Sequence, residues 1–447
     1  MKSISKLGYF DLSMIVVSLV IGMGIFRTPV NVAHDALTPS IFFFAWIFGG
    51  LIALCGALTF AEIGSRLPVN GGYFRIFSKC YHPAFAFMLN GTILVSNAAS
   101  VAGVALIGAE YSSQFIFSGH YSSEQNQTHH LLIAFIEILL FLALNLLGLK
   151  TSATTQNILT IFKLSLVIII ISAVFIPNET SKSVFVLPEI FHSSTDYLKS
   201  FGLCLIPVSF AYGGYQQTIN FGGEINNAAK ILPKAIITGI LLVIGLYITI
   251  NFAYYKVIGF ENLKSAESIA SIMATKIFGD LGSKILTLML FFSVLAYVNV
   301  GLMANPRVIC AMSEDGNLPK FFSKHSKKFN VPVTALVTFT IVTIITLLYA
   351  GTFDKLLKGI IFIDSIGFIA AASTIFILRK KQGPRIGEIY RIKLFPWIPL
   401  LFIAGYAFVT YSIVSDNWKS ALAGTFVFLG FLPLYFVFYW WNKRQTN

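Results

Sequence analysis

The sequence predicts an all-α integral membrane protein of about twelve transmembrane helices, and three observations predict it. Of its 447 residues, 56% are hydrophobic and only 11% charged, with a mean hydropathy of +0.77, where ordinary soluble domains carry about 25% charged residues. Apolar stretches long enough to cross the hydrocarbon core recur from one end of the chain to the other. The cationic residues are also unevenly placed: with the N-terminus inside, twenty-one of the 32 Lys and Arg fall in inner segments, nine in outer segments and two within spans. That asymmetry follows the positive-inside rule and places both termini in the cytoplasm. The net charge of +13 is therefore a statement about topology, and nucleic acid is not an expected partner.

In chain order the expected spans are 11–35, 39–64, 84–110, 130–148, 155–176, 199–222, 235–257, 283–310, 333–350, 357–379, 395–414 and 420–441, one transmembrane domain over 1–447. The first carries no small-residue cleavage pattern, so it reads as a span and not as a signal peptide. It is interrupted at Gly22 and Gly24, with Arg27 and Pro29 close behind. Backbone amides released inside lipid cost several kcal/mol each unless something accepts from them, so a broken span must line a cavity. A helix restarting near Arg27 would point its positive end into that cavity, which suits a small carboxylate.

The second span runs into AEIGSRLPVNGGYFRIFSKCYHP, where Pro68 and Gly71-Gly72 force a turn. Tyr73 to Tyr81 then mixes aromatics with Arg75 and Lys79, either as a helix anchored at the headgroups or as part of an inner gate. Asn97 to Glu110 is dense in Ala, Gly and Ser, which predicts close packing of the third span against the broken first. His129, His130 and Glu124 read as a solvated outer loop. The fifth span holds Lys163 about a third of the way in, too deep to snorkel, so the lysine needs a partner or a role.

The sixth span answers the first. Its apolar run is interrupted at Gly213-Gly214 after Phe210-Ala211-Tyr212, and a half-helix ending there leaves carbonyls that suit an ammonium group. Paired glycine interruptions in two halves of a chain point to a transport site at the bilayer midplane; the competing reading is that the glycines only let helices approach. Segments 178–195 and 261–283 are expected outer loops, the latter with a short lid-like helix. Asp364 lies in the tenth span, where a charge costs about 2.5 to 3.5 kcal/mol to insert, so it pairs with a cation, with Arg27 as the partner expected, or binds a proton. The last two spans read as scaffold.

Cys55, Cys80, Cys204 and Cys310 are scattered with no CxxC spacing, so neither a disulfide nor a metal site is expected. No nucleophile–His–acid pattern and no GxxxxGK[ST] cradle is present, and neither an enzyme nor a cofactor is expected. The readings left are a secondary carrier for a small zwitterion, an amino-acid-binding receptor that does not transport, and a polyamine or amine exchanger. No cytoplasmic loop is long enough for a signalling domain, which weakens the receptor.

Five motifs in order, GMGIFRTP, FAEIGSRLPVNGGYF, QNILTIFKL, FAYGGYQQTINFGGEINNAAKILPKAI and NPRVICAMSEDGNLPKFF with VPVTAL, resemble the amino acid, polyamine and organocation transporter superfamily, in particular bacterial permeases related to the L-type amino acid transporters. The resemblance implies a LeuT-like five-plus-five inverted repeat, about 11–176 against 199–379, with discontinuous helices one and six and two further helices over 395–441. It implies alternating-access transport of an amino acid across the cell membrane, by antiport or by proton-coupled symport. Gly22, Met23, Gly24 and Ile25 would bind the substrate carboxylate, and the carbonyls of Phe210, Ala211 and Gly213 its amino group. Phe210 matches an aromatic that closes over substrate. Lys163 matches a lysine standing where sodium-coupled relatives hold an ion, with Ser293 its expected eighth-helix neighbour, which argues against sodium dependence. Met23 and Tyr215-Gln216 depart from the usual residues, so side-chain selectivity does not carry over.

Overall fold

The computed structural model describes residues 6–22, 24–116, 123–175, 193–266, 269–350, 353–382, 389–416 and 418–446. Met23 and most of the outer loop expected at 178–195 lie outside them. Every segment read as a span is helical, and among the described residues there is no strand, only isolated bridges joining Leu7 to Ile225 and Asn70 to Phe221. Among the described residues, ten helices are long and apolar enough to cross a membrane, Tyr9–Asp35 counting as one. Two of the expected spans fall outside that number. Val333–Tyr349 is a shorter apolar helix, and the sixth segment opens with the polar turn STDYLKS and is cut short by its glycine break.

The first span is two helices, α1 (Tyr9–Val20) and α2 (Gly24–Asp35). α3 (Pro39–Arg66) starts on a Thr38 cap whose hydroxyl accepts from the Ile41 amide, the usual way to satisfy an orphaned first-turn donor. α4 (Gly72–Cys80) follows Gly71 at φ 63, and then come α5 (Pro83–Ile116), α6 (Ser123–Leu146) and α7 (Leu149–Ser172). His129 and His130 belong to α6 and not to a loop. α8 (Ser194–Tyr212) runs into the second break, and a 3₁₀ turn over Tyr215–Asn220 leads to α9 (Ala228–Ile258). The short α10 (Phe260–Lys264) and the start of α11 (Ile269–Ala304), which bends at Gly279, occupy the segment expected as a lid. α12 (Pro306–Glu314), α13 (Val333–Ala350), α14 (Phe353–Gln382), α15 (Trp397–Asp416) and α16 (Trp418–Thr446) complete the bundle.

Large apolar side chains cover the outside, among them Leu132, Ile136 and Leu140 on α6, Ile161 and Ile168 on α7, and Phe426 and Trp440 on α16. Polar residues point inward, as a bundle in lipid requires.

One packing expectation is corrected. α5 lies mainly on α6, α11, α13, α14 and α16, not on the broken first span. Its small residues serve those neighbours: a Cβ on Gly108 would stand 2.8 Å from Val294 of α11, and one on Gly301 of α11 would stand 2.4 Å from Val101. The first span instead seats α1 on α9, where Gly239 makes room for Val16, and α2 on α8.

The lysine- and arginine-rich end is closed by cross-links. The Leu7 amide donates to the Glu224 carbonyl at 2.8 Å, Arg307 pairs with Glu224 at 2.7 Å, and Arg75 of α4 pairs with Glu314 and Asp315. Glu62 of α3, fully buried, is held by Arg66 at 2.7 Å, Arg379 at 2.6 Å and the Ile392 amide at 2.8 Å. α4 is therefore embedded by Tyr73, Phe74, Ile76 and Phe77 in this seal. The sequence reading did not single out Glu62, although a charge in an apolar run was the signal.

Candidate functional site

The two breaks face each other across the middle of the bundle. α1 ends at Val20, the Gly22 amide turns back to donate to the Val20 carbonyl at 2.8 Å, and α2 begins at Gly24. The helix thus restarts three residues before Arg27, and the amides without intrahelical acceptors are those of α2's first turn, Gly24 and Ile25 among them. The Gly22 amide, expected to meet a ligand, is already engaged. On the other side α8 ends at Tyr212; Gly213 is extended and Gly214 sits at φ 112. That left-handed conformation suits glycine, and a Cβ there would also come within 2.2 Å of the Leu19 carbonyl oxygen.

Contact between the breaks is intimate. A Cβ on Gly24 would lie 3.0 Å from the Ala211 Cα, and one on Gly22 would lie 3.2 Å from the Tyr297 ring. Neither glycine has positive φ, so close approach, not backbone conformation, is what requires them. Tyr247 of α9 joins the two helix ends: its hydroxyl lies 2.9 Å from the Val20 carbonyl oxygen and 3.0 Å from that of Ala211. Trp46 packs edge-on to Tyr247 at 5.8 Å and Tyr212 packs against it at 5.0 Å, which fixes the ring. The Ala211 carbonyl keeps a second lone pair for a ligand, whereas that of Val20 also accepts from the Gly22 amide. A tyrosine in an apolar helix that also holds Tyr254 and Tyr255 carries little sequence signal, and Tyr247 was missed for that reason.

Between the breaks lies a cavity of about 40 Å³, lined by Gly22, Gly24, Phe210, Ala211 and Gly213 from the breaks, by Asn97, Ser100 and Val104 of α5, and by Gln217, Tyr297, Asp364, Phe368 and Tyr406. Small-molecule sites typically measure about 300 to 1,000 Å³, so this conformation is closed down. Asp364 accepts from the Ser96 hydroxyl at 2.6 Å. Asn97 accepts from Gln217 at 3.1 Å and donates to Asn305 at 2.6 Å, while the Gln217 side-chain amide oxygen is buried with no partner among the described residues.

Lys163 stands behind the first break, fully buried. Its ammonium donates to the Ile21 carbonyl, to the Ser18 hydroxyl at 3.2 Å and to the Ser18 carbonyl at 3.4 Å, so it caps the end of α1 with charge of the sign a helix C-terminus favours. Gln156 extends the network, donating to Ser18 at 2.5 Å and accepting from Asn299 of α11 at 2.8 Å. Asn299, not Ser293, is the eighth-span residue that joins this network; the Ser293 hydroxyl is buried without a partner among the described residues. Arg27 pairs with Glu110 at 3.4 Å and not with Asp364. Asp364 looks into the cavity, whereas Arg27 lies a turn along α2 with its side chain 35% exposed.

An apolar bundle with two opposed helix breaks enclosing a cavity that holds a few polar side chains is the build of a multi-pass membrane transporter. The family model described as amino acid permease matches residues 7–440, and the chain belongs to that family. It is 29% identical to the serine/threonine exchanger SteT of Bacillus subtilis, over 97% of this chain and 96% of that protein. It is 26% identical to the human cystine/glutamate transporter, over 96% and 84%, and 27% identical to the large neutral amino acids transporter small subunit 2 of Rattus norvegicus, over 98% and 81%. The family is one of permeases and not enzymes, and its substrates are amino acids.

Proposed function

We propose that this permease exchanges small zwitterionic amino acids across the cell membrane without sodium, by alternating access. The observation that carries the reading is the opposition of helix ends of unlike polarity across one cavity. The first-turn amides of α2 suit a carboxylate, and the carbonyls of Phe210 and Ala211 at the end of α8, with that of Gly213 just past it, suit an ammonium. The substrate's own charges thus replace solvent at both breaks. Its side chain points toward Asn97, Ser100 and Gln217, a polar lining that favours a hydroxyl side chain; SteT, by its name, exchanges serine and threonine.

Twelve crossings arranged as two inverted repeats of five plus two peripheral helices, with both termini cytoplasmic, complete the proposal. The short apolar α13 and the broken α8 supply the crossings beyond the ten long ones. Lys163 supports sodium independence, because a fixed ammonium already neutralises the carbonyls at the end of α1.

The test is uptake of radiolabelled serine into proteoliposomes with sodium replaced by choline, with and without unlabelled serine inside. Exchange predicts uptake that needs internal amino acid and ignores sodium. Uptake driven by an inward proton gradient into empty vesicles would replace exchange by symport, and preference for putrescine over serine would move Asp364 into the role of amine partner.

A further inference from the structure

Outside the site just described, α6 carries an acid that neither the cavity nor the seal uses. Glu137 sits in the apolar run IAFIEILLFL, only 4% exposed. Both of its carboxyl oxygens are buried, with no hydrogen-bond partner among the described residues. The carboxyl occupies the space left by a missing side chain on α5: a Cβ at Gly108 would lie 2.9 and 3.3 Å from the two oxygens and 2.8 Å from Val294 of α11. Other buried acids are differently placed, since Glu62 is gripped by two arginines and Asp364 accepts from Ser96.

We propose that Glu137 is a proton-binding site in the wall of the bundle, held as the neutral acid in this conformation and able to release its proton to water only when α6 loosens from α5 and α11. An unpaired carboxylate in this setting would lose its hydration with no counter-charge in return. The neutral acid forfeits only hydrogen bonds. The titratable groups on the packed elements do not change this. On α5, Glu110 pairs with Arg27, and Tyr111 lies one residue further on. On α6, His130 bonds Ser113. On α7, Lys163 is committed to Ser18 and Ile21, and Lys150 lies at the first turn. α11 brings Tyr297 and Lys276, the latter bonded to the Val257 carbonyl, together with Asp280 and Lys284, whose side chains lie outside the described residues. α13 has no titratable group before Tyr349, which is exposed. Because α6 contributes nothing to the cavity lining, the proton acts on the stability of this conformation and not on the substrate, and the inference stands apart from the transport reading.

The full chain in lipid nanodiscs provides the test, by thermal unfolding of wild type, E137Q and E137M between pH 5 and 9. The unfolded chain ionises this group near pH 4.3 while the folded chain keeps the proton, so the wild-type midpoint should fall with rising pH, by at least about 2 °C more than in either variant. The three midpoints should lie nearest one another at pH 5 and separate as the pH rises, since the amide copies the neutral acid and methionine fills the same apolar space. A wild-type slope surviving in E137Q overturns the proposal, and so does failure of E137Q to fold, because the neutral isostere should be tolerated.

Discussion

The ammonium of Lys163 sits where α1 runs out of its own hydrogen bonds, and among the described residues no other charged side chain donates to the Ile21 or Ser18 carbonyls. Lys163→Ala leaves these acceptors buried and unsatisfied, at about 1 to 3 kcal/mol each. Transport should fall at least about tenfold while the protein still inserts and folds, measured as uptake beside size-exclusion behaviour; normal uptake from pH 5 to 8 would remove the lysine from the mechanism. The glycines act by different physics. Gly24→Val should abolish substrate binding because its methyls meet the Ala211 backbone, 3.0 Å from the Cβ position. Gly214→Ala combines a left-handed φ with a 2.2 Å approach to Leu19 and should cost more thermal stability than Gly213→Ala, whose Cβ position has nothing nearer than 3.3 Å. Equal losses for the two alanines would show that the second break is not held as described.

At the scale of elements, both breaks were legible because glycine interruptions recur in matched positions of the two halves, whereas the pair Gly49-Gly50 sits inside the unbroken α3 and only admits its neighbours, and the end of α8 at Tyr212 could be read to the residue. The restart of α2 could not. Arg27 drew attention as a charge, but α2 begins at Gly24, and the arginine lies beyond the break against Glu110. The small residues of α5 announced close packing without naming the partner, since Gly, Ala and Ser fit any neighbour equally well; α11 proved to be that neighbour and α1 did not. Tyr247 and Glu137 were invisible for the same reason, that one polar residue in an apolar helix gains meaning only from what folds against it. The Arg27 reassignment is testable by double-mutant cycles. Arg27→Gln with Glu110→Gln should couple by no more than about 1 kcal/mol, as expected of a half-exposed pair. Arg27→Gln with Asp364→Asn should be additive within about 0.5 kcal/mol. Strong coupling of the second pair would restore the ion pair across the cavity.

For the whole molecule, the closed cavity and the cross-linked basic end belong to one conformation, in which access is shut by Leu7, Glu224 and Arg307 on one side. Opening must break these links together, which gives the transporter two arrangements and not a continuum. The central claim, that both charges of an amino acid are read by the two helix ends, is tested most directly on the unmodified protein by competition against radiolabelled serine. Serine methyl ester lacks the carboxylate, and N-acetylserine lacks the ammonium. Each charged hydrogen-bonding group is worth about 1.5 to 3 kcal/mol, so both analogues should compete at least about tenfold more weakly than serine. An ester or an N-acetyl derivative that competes as well as serine would contradict the assignment of that end of the site.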